Sequence, residues 1–182
     1  MLSPYTGPLA WAGGDGTAVA ASTSPTSLLT SIAATGKWAM PGGFFIYPGQ
    51  MLRLSASGRI STPSSSQGNI TFDVVIGAVN VAASPTFTSL ASQTNITWEL
   101  EWLLTLRAVG DGTAANFMHT GKFTSALVSA SALLNLIPAT APAVGTGFNS
   151  SAAATVDLQV TWSNNTAGNT ITLHQYLLES IN

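Results

Sequence analysis

Glu99 and Glu101 are the residues of this chain whose type and spacing come nearest to chemistry. On a strand, positions i and i+2 share one face about 7 Å apart, a carboxylate separation within the range that glycoside hydrolysis uses. A catalytic pair flanks its substrate from opposite sides, whereas two carboxylates on one strand project in parallel. Arg53, Arg59, Arg107 and Lys122 supply cations for cross-strand pairing, so these six side chains read as structural ion pairs. The two histidines, His119 and His174, belong to no short metal motif, and a zinc site joining them to Asp111 or Glu179 requires the fold to assemble it. No Gly-x-Ser-x-Gly elbow and no phosphate-binding Gly-Lys-Ser/Thr run occurs. With no cysteine there is no thiolate nucleophile and no disulfide framework. No catalytic residue, cofactor or metal ligand is assigned, and the expectation is a chain that is not an enzyme.

The elements that position these side chains are strands. Met51 to Ile60 puts Leu52, Leu54, Ala56 and Ile60 on one face and Arg53, Ser55, Ser57 and Arg59 on the other. Residues 69–76 turn Ile70, Phe72, Val74 and Ile76 inward, and Gly77-Ala78 reads as a hairpin turn into residues 79–82. The longest alternation runs from Ile96 to Val109 through Trp98, Leu100, Trp102, Leu104 and Leu106, and Gly110-Asp111-Gly112-Thr113 folds it back into residues 114–125. A connector of about 126–154 follows; then Val156, Leu158, Val160 and Trp162 alternate, and the last strand is expected to bury Ile171, Leu173, Gln175 and Leu177. This pattern predicts an all-β, antiparallel β-sandwich of the jelly-roll type spanning residues 37–182. Residues 1–36, rich in Gly, Ala, Ser and Thr, read as an extended arm with short strands, ordering against a neighbouring surface.

Tryptophan faces suit sugar stacking, yet Trp98, Trp102 and Trp162 fall in the inward set and read as core. Trp11 and Trp38, in or beside the arm, read as anchors to another subunit, and His174, Tyr176 and Leu178 join them as candidate interface positions. Composition supports burial by neighbours. Only 7% of residues are charged, against roughly 25% in ordinary soluble proteins, while Ser, Thr, Asn and Gln number 59. Five Lys and Arg cannot form the basic stripe that nucleic-acid phosphates require. The uncharged run from Phe123 to Val156 is interrupted by Ser129, Ser131, Asn135, Pro138 and Pro142, so no membrane insertion is expected, and the amino terminus shows no signal-peptide pattern.

Several blocks together resemble a family. Met51-Leu52-Arg53-Leu54-Ser55-Ala56-Ser57-Gly58-Arg59, Ile70-Thr71-Phe72-Asp73-Val74-Val75-Ile76-Gly77, Trp98 to Gly110 and Thr170 to Glu179 look like a recurring domain of tailed-bacteriophage virion proteins. The resemblance covers about residues 9–182. It implies a trimeric jelly roll similar to tumour necrosis factor, found in capsid decoration proteins, minor tail proteins and fibre heads. The implied partners are two further copies of the chain and phage capsid or tail proteins, and the implied location is the virion, after synthesis in the bacterial cytoplasm. A receptor-binding head, using loops such as 61–68, 83–94 and 136–150 on a host glycan or protein, is the alternative.

Overall fold

A computed structural model describes residues 7–30, 36–128 and 134–182. These residues form twelve strands and no helix: β1 (Gly7–Trp11), β2 (Val19–Ala20), β3 (Thr26–Ser27), β4 (Trp38–Met40), β5 (Met51–Thr62), β6 (Ile70–Ile76), β7 (Val79–Ala83), β8 (Gln93–Ala108), β9 (Asn116–Ser125), β10 (Leu134–Ile137), β11 (Ala154–Trp162) and β12 (Thr170–Ser180). A seven-stranded sheet has the order β1-β12-β5-β8-β9-β10, with β2 also on β12, and a five-stranded sheet has the order β3-β11-β6-β7, with β4 also on β11. All pairings are antiparallel. The chain is therefore an all-β protein of two antiparallel sheets, consistent with a β-sandwich.

Period-2 alternation drives this arrangement. The even-numbered residues Leu52, Leu54, Ala56 and Ile60 of β5, and Trp98, Leu100, Trp102, Leu104 and Leu106 of β8, are buried, as are Val156, Leu158, Val160 and Trp162 of β11. Aromatic rings knit the sheets together. Phe72 of β6 packs on Trp98 and Phe123 of the larger sheet at centroid distances of 5.6 and 5.2 Å, and Phe87 stacks on Phe123 at 4.6 Å. A second group joins Phe45, Phe117 and Phe148, the last two stacked at 5.1 Å. Such offset and edge contacts add to the stabilisation that ring burial itself provides.

The last strand corrects the sequence expectation. Leu173 pairs with Gly58 and Gln175 with Ser57, leaving His174 as the extra residue of a β-bulge. The bulge resets the alternation, so Gln175 faces out while Tyr176 and Leu178 turn into the core, at 4% and 0% exposure. Both were expected at an interface; burial within the subunit removes them from one. Gly58 is what allows the bulge. A Cβ there would lie 1.9 Å from the Thr172 carbonyl oxygen, so the partner backbone can approach only a glycine.

Two boundaries also differ. The connector carries β10, which pairs with β9, and it touches the β8–β9 hairpin again through the bridges Ala115 to Phe148 and Met118 to Val144. The described part of residues 1–36 lies along the sandwich: β1 and β2 pair with β12, β3 pairs with β11, and Ala10, Leu28 and Leu29 are buried. β1, β2 and β3 thus add short strands to the edges of the two sheets.

Candidate functional site

The outer face of the seven-stranded sheet gathers most of the singled-out residues. One row of directly paired positions crosses it: Trp11 on β1, Leu177 on β12, Ser55 on β5, Glu101 on β8, Lys122 on β9 and Leu136 on β10. The small side chains of Ser55 and Ser57 leave a trough of about 420 Å³ between the β8 carboxylates and Gln175 and Leu177 of β12. Beside it, a second depression of about 460 Å³ is bounded by Arg53, Leu103, Lys122, Leu134 and Leu136. The ends of the row are greasy. Trp11, Leu134 and Leu136 are 48%, 53% and 65% exposed.

Among the described residues two ion pairs cross this face. Lys122 Nζ meets Glu101 Oε2 at 3.0 Å, and Arg53 donates to Glu179 Oε1 at 3.0 Å, each across a strand pair. Glu179 was not foreseen as the partner of Arg53, because the bulge decides which β12 residue lies opposite. Glu99 stands between Ser57 and Thr124, and Arg59 between Thr172 and Thr97; among the described residues neither these two nor Arg107 makes an ion pair within 4.0 Å. Across the trough from Glu99 and Glu101 stand hydroxyls, a carboxamide and a leucine, so the two carboxylates meet no opposed acid there.

The conceivable zinc set is dispersed. His119 is buried on β9, His174 sits in the β12 bulge bonded to Asp15 at 2.8 Å, Asp111 lies in the β8–β9 turn, and Glu179 holds Arg53. Among the described residues no group of three or more His, Asp or Glu side chains is close enough to hold a metal ion. Among them, too, no helix is long and apolar enough to cross a membrane. Trp38, half-buried, meets Phe44 edge-on at 4.6 Å and helps to line an apolar depression with Pro8, Leu9 and Pro41.

No protein-family model and no curated protein matches this sequence.

Two polar clusters escaped the sequence reading. The first centres on Asp157 of β11, whose carboxylate accepts from Ser27 Oγ at 2.6 Å, meets Lys37 Nζ at 2.9 Å and accepts from Gln159 Nε2 at 3.3 Å. In the sequence Asp157 occupies an outward strand position; only tertiary packing brings Ser27 and Lys37 against it. Burial raises the pKa of Tyr176, and the Asp157 charge adds to that rise. The second cluster is Trp102 with His119, 17 residues apart, the indole N–H donating to His119 Nδ1 at 3.1 Å. Counting back from the β8–β9 turn finds this pair, since Trp102 opposes Gly121 and Leu104 opposes His119, making the two rings diagonal neighbours.

Proposed function

We propose that this chain is a non-enzymatic structural subunit of a tailed-bacteriophage virion, a capsid decoration or minor tail protein that associates as a homotrimer and bridges subunits of the particle. The observation that carries the reading is the outer face of the seven-stranded sheet. Four of its charges, Arg53 with Glu179 and Glu101 with Lys122, are already paired within the subunit, and its rims expose Trp11, Leu134 and Leu136. Contacts between permanent partners favour this chemistry, because a neutralised pair costs less to desolvate than a lone charge and apolar rims gain from burial. The resemblance of the strand blocks to virion proteins supplies the biological setting.

Strand order supports the jelly-roll form of this reading. Pairing β1 with β12, β4 with β11, β5 with β8 and β6 with β7 nests first with last and proceeds inward, as when one long hairpin winds around a core. The β9–β10 hairpin extends the larger sheet beyond β8.

Light scattering on the purified chain tests the assembly claim, and the expected mass is three times 18.6 kDa. A single-copy mass at micromolar concentration would reject it. Mass spectrometry of purified phage particles tests the virion role, with the chain expected in multiple copies. If the purified protein instead adheres to host cells and competes with phage adsorption, the receptor-binding head replaces the structural role.

A further inference from the structure

Residues 144–150 form a strap over the seam between the two sheets. Gly145 N–H donates to Phe117 O at 2.8 Å, Ala115 and Phe148 exchange both backbone bonds at 3.1 and 2.8 Å, and Ser150 N–H donates to Gly110 O at 3.0 Å. Toward the smaller sheet the fit is as close, since a Cβ on Gly145 would lie 2.1 Å from Val81 O of β7. At Gly145 the strap thus lies against both β9 and β7. Beside it an open hollow of about 210 Å³ is lined by β7, by Gly145 and Thr146, and by His119.

The His119 ring is held in one protonation state by its neighbour. Because the Trp102 indole is only a donor, the His119 Nδ1 that receives it carries no proton, and the ring is neutral with its hydrogen on Nε2. Adding a proton places two N–H groups head to head and puts a charge in the hollow beside the strap. We propose that protonation of His119 releases the 144–150 strap and opens the seam between β7 and β9 in mildly acidic solution.

The groups around the ring give the cation no direct counter-charge. Trp102 faces it from β8, Asn80, Val81, Ala82 and Ala83 line the hollow from β7, and Gly145 and Thr146 from the strap, all uncharged. A carboxylate nearby, Asp73 of β6, is engaged by the Asn80 amide at 2.7 Å, and burial raises its pKa toward the neutral form. Burial also holds the His119 pKa below the ordinary value of 6.5. The closed state therefore binds fewer protons than the open one, and closure weakens as pH falls below that ordinary value. Between about pH 7.5 and about pH 5.5 the open fraction rises by up to about tenfold.

Hydrogen exchange of the full chain, corrected for the intrinsic pH dependence of amide exchange, reads this directly. Protection at Gly145 and Phe148 is expected to fall up to about tenfold from the higher to the lower pH, while β5 and β8 amides hold theirs. The His119→Gln variant keeps an acceptor for Trp102 and is expected to show no such fall. Equal protection of Gly145 and Phe148 at both pH values, or the same fall in His119→Gln, would overturn the proposal. Should that variant not fold, NMR titration of the native rings decides: the Trp102 indole proton must lose protection with the His119 titration, and joint titration with His174 alone would reject it.

Discussion

Replacing Lys37 by Met should destabilise the protein more than replacing Asp157 by Asn, although both remove the same ion pair. The asymmetry follows from access to water. The Asp157 side chain is 8% exposed and that of Lys37 34% exposed, so a lysine that loses its partner can turn to solvent while the carboxylate cannot. Stranding a buried charge costs about 3–5 kcal/mol. Here the exposed side of Lys37 is screened by solvent, and Ser27 and Gln159 still donate to the carboxylate, which brings the expectation for Lys37→Met to about 2–3 kcal/mol. For a chain of this length that is a loss of about 5–10 °C in Tm. Asp157→Asn keeps an acceptor for Ser27 and should cost about 1 kcal/mol. In the double variant the buried carboxylate is gone, so it should be more stable than Lys37→Met alone.

Urea denaturation of the parent, both single variants and the double variant measures every quantity. Equal losses for the single variants and additivity in the double would refute the account of a stranded buried carboxylate.

Other outcomes follow from particular contacts. Gly58→Ala should destabilise by about 3 kcal/mol or prevent folding, because the added Cβ meets the Thr172 carbonyl backbone opposite the bulge, and a thermal melt followed by circular dichroism reads it. Deleting His174 should be tolerated better than deleting Leu177: the first removes the unpaired bulge residue and leaves Tyr176 and Leu178 facing the core, whereas the second turns Leu178 to the opposite face. Soluble yield and Tm of the two deletions distinguish them. Phe123→Ala, at a fully buried site stacked on Phe87 and packed on Phe72, should cost about 3–5 kcal/mol in urea denaturation. Leu134→Glu with Leu136→Glu should leave the room-temperature circular dichroism spectrum unchanged, since both side chains are exposed in the subunit, yet reduce the mass seen by light scattering to a single copy.

The strands were legible wherever side chains alternate without interruption. Five buried residues of β8 and four of β11 read directly from their spacing, because a pleated backbone sends successive side chains to opposite faces. The hairpin turns at Gly77-Ala78 and at residues 110–113 were legible for a related reason: Gly77 and Gly112 take φ of +63°, a conformation that glycine enters without steric cost. The pair Glu101 and Lys122 was legible as an available match of charges, and the register of β8 against β9 is what brings it to 3.0 Å. Tyr176 and Leu178 were misplaced because a bulge leaves no compositional mark in β12; its permission is written 116 residues earlier, in Gly58.

By itself the sequence determined the class of structure and the identity of most of the core, since alternation, turn residues and the scarcity of charge are local properties of the chain. Tertiary structure decided which polar groups meet. Asp157 becomes a buried acid only when Ser27 and Lys37 are brought against β11, and His119 becomes a neutral ring beside a strap only when β9, β7 and residues 144–150 converge. The physical reason is that periodicity fixes which face a side chain takes, whereas burial and electrostatics depend on what the remainder of the chain brings against that face.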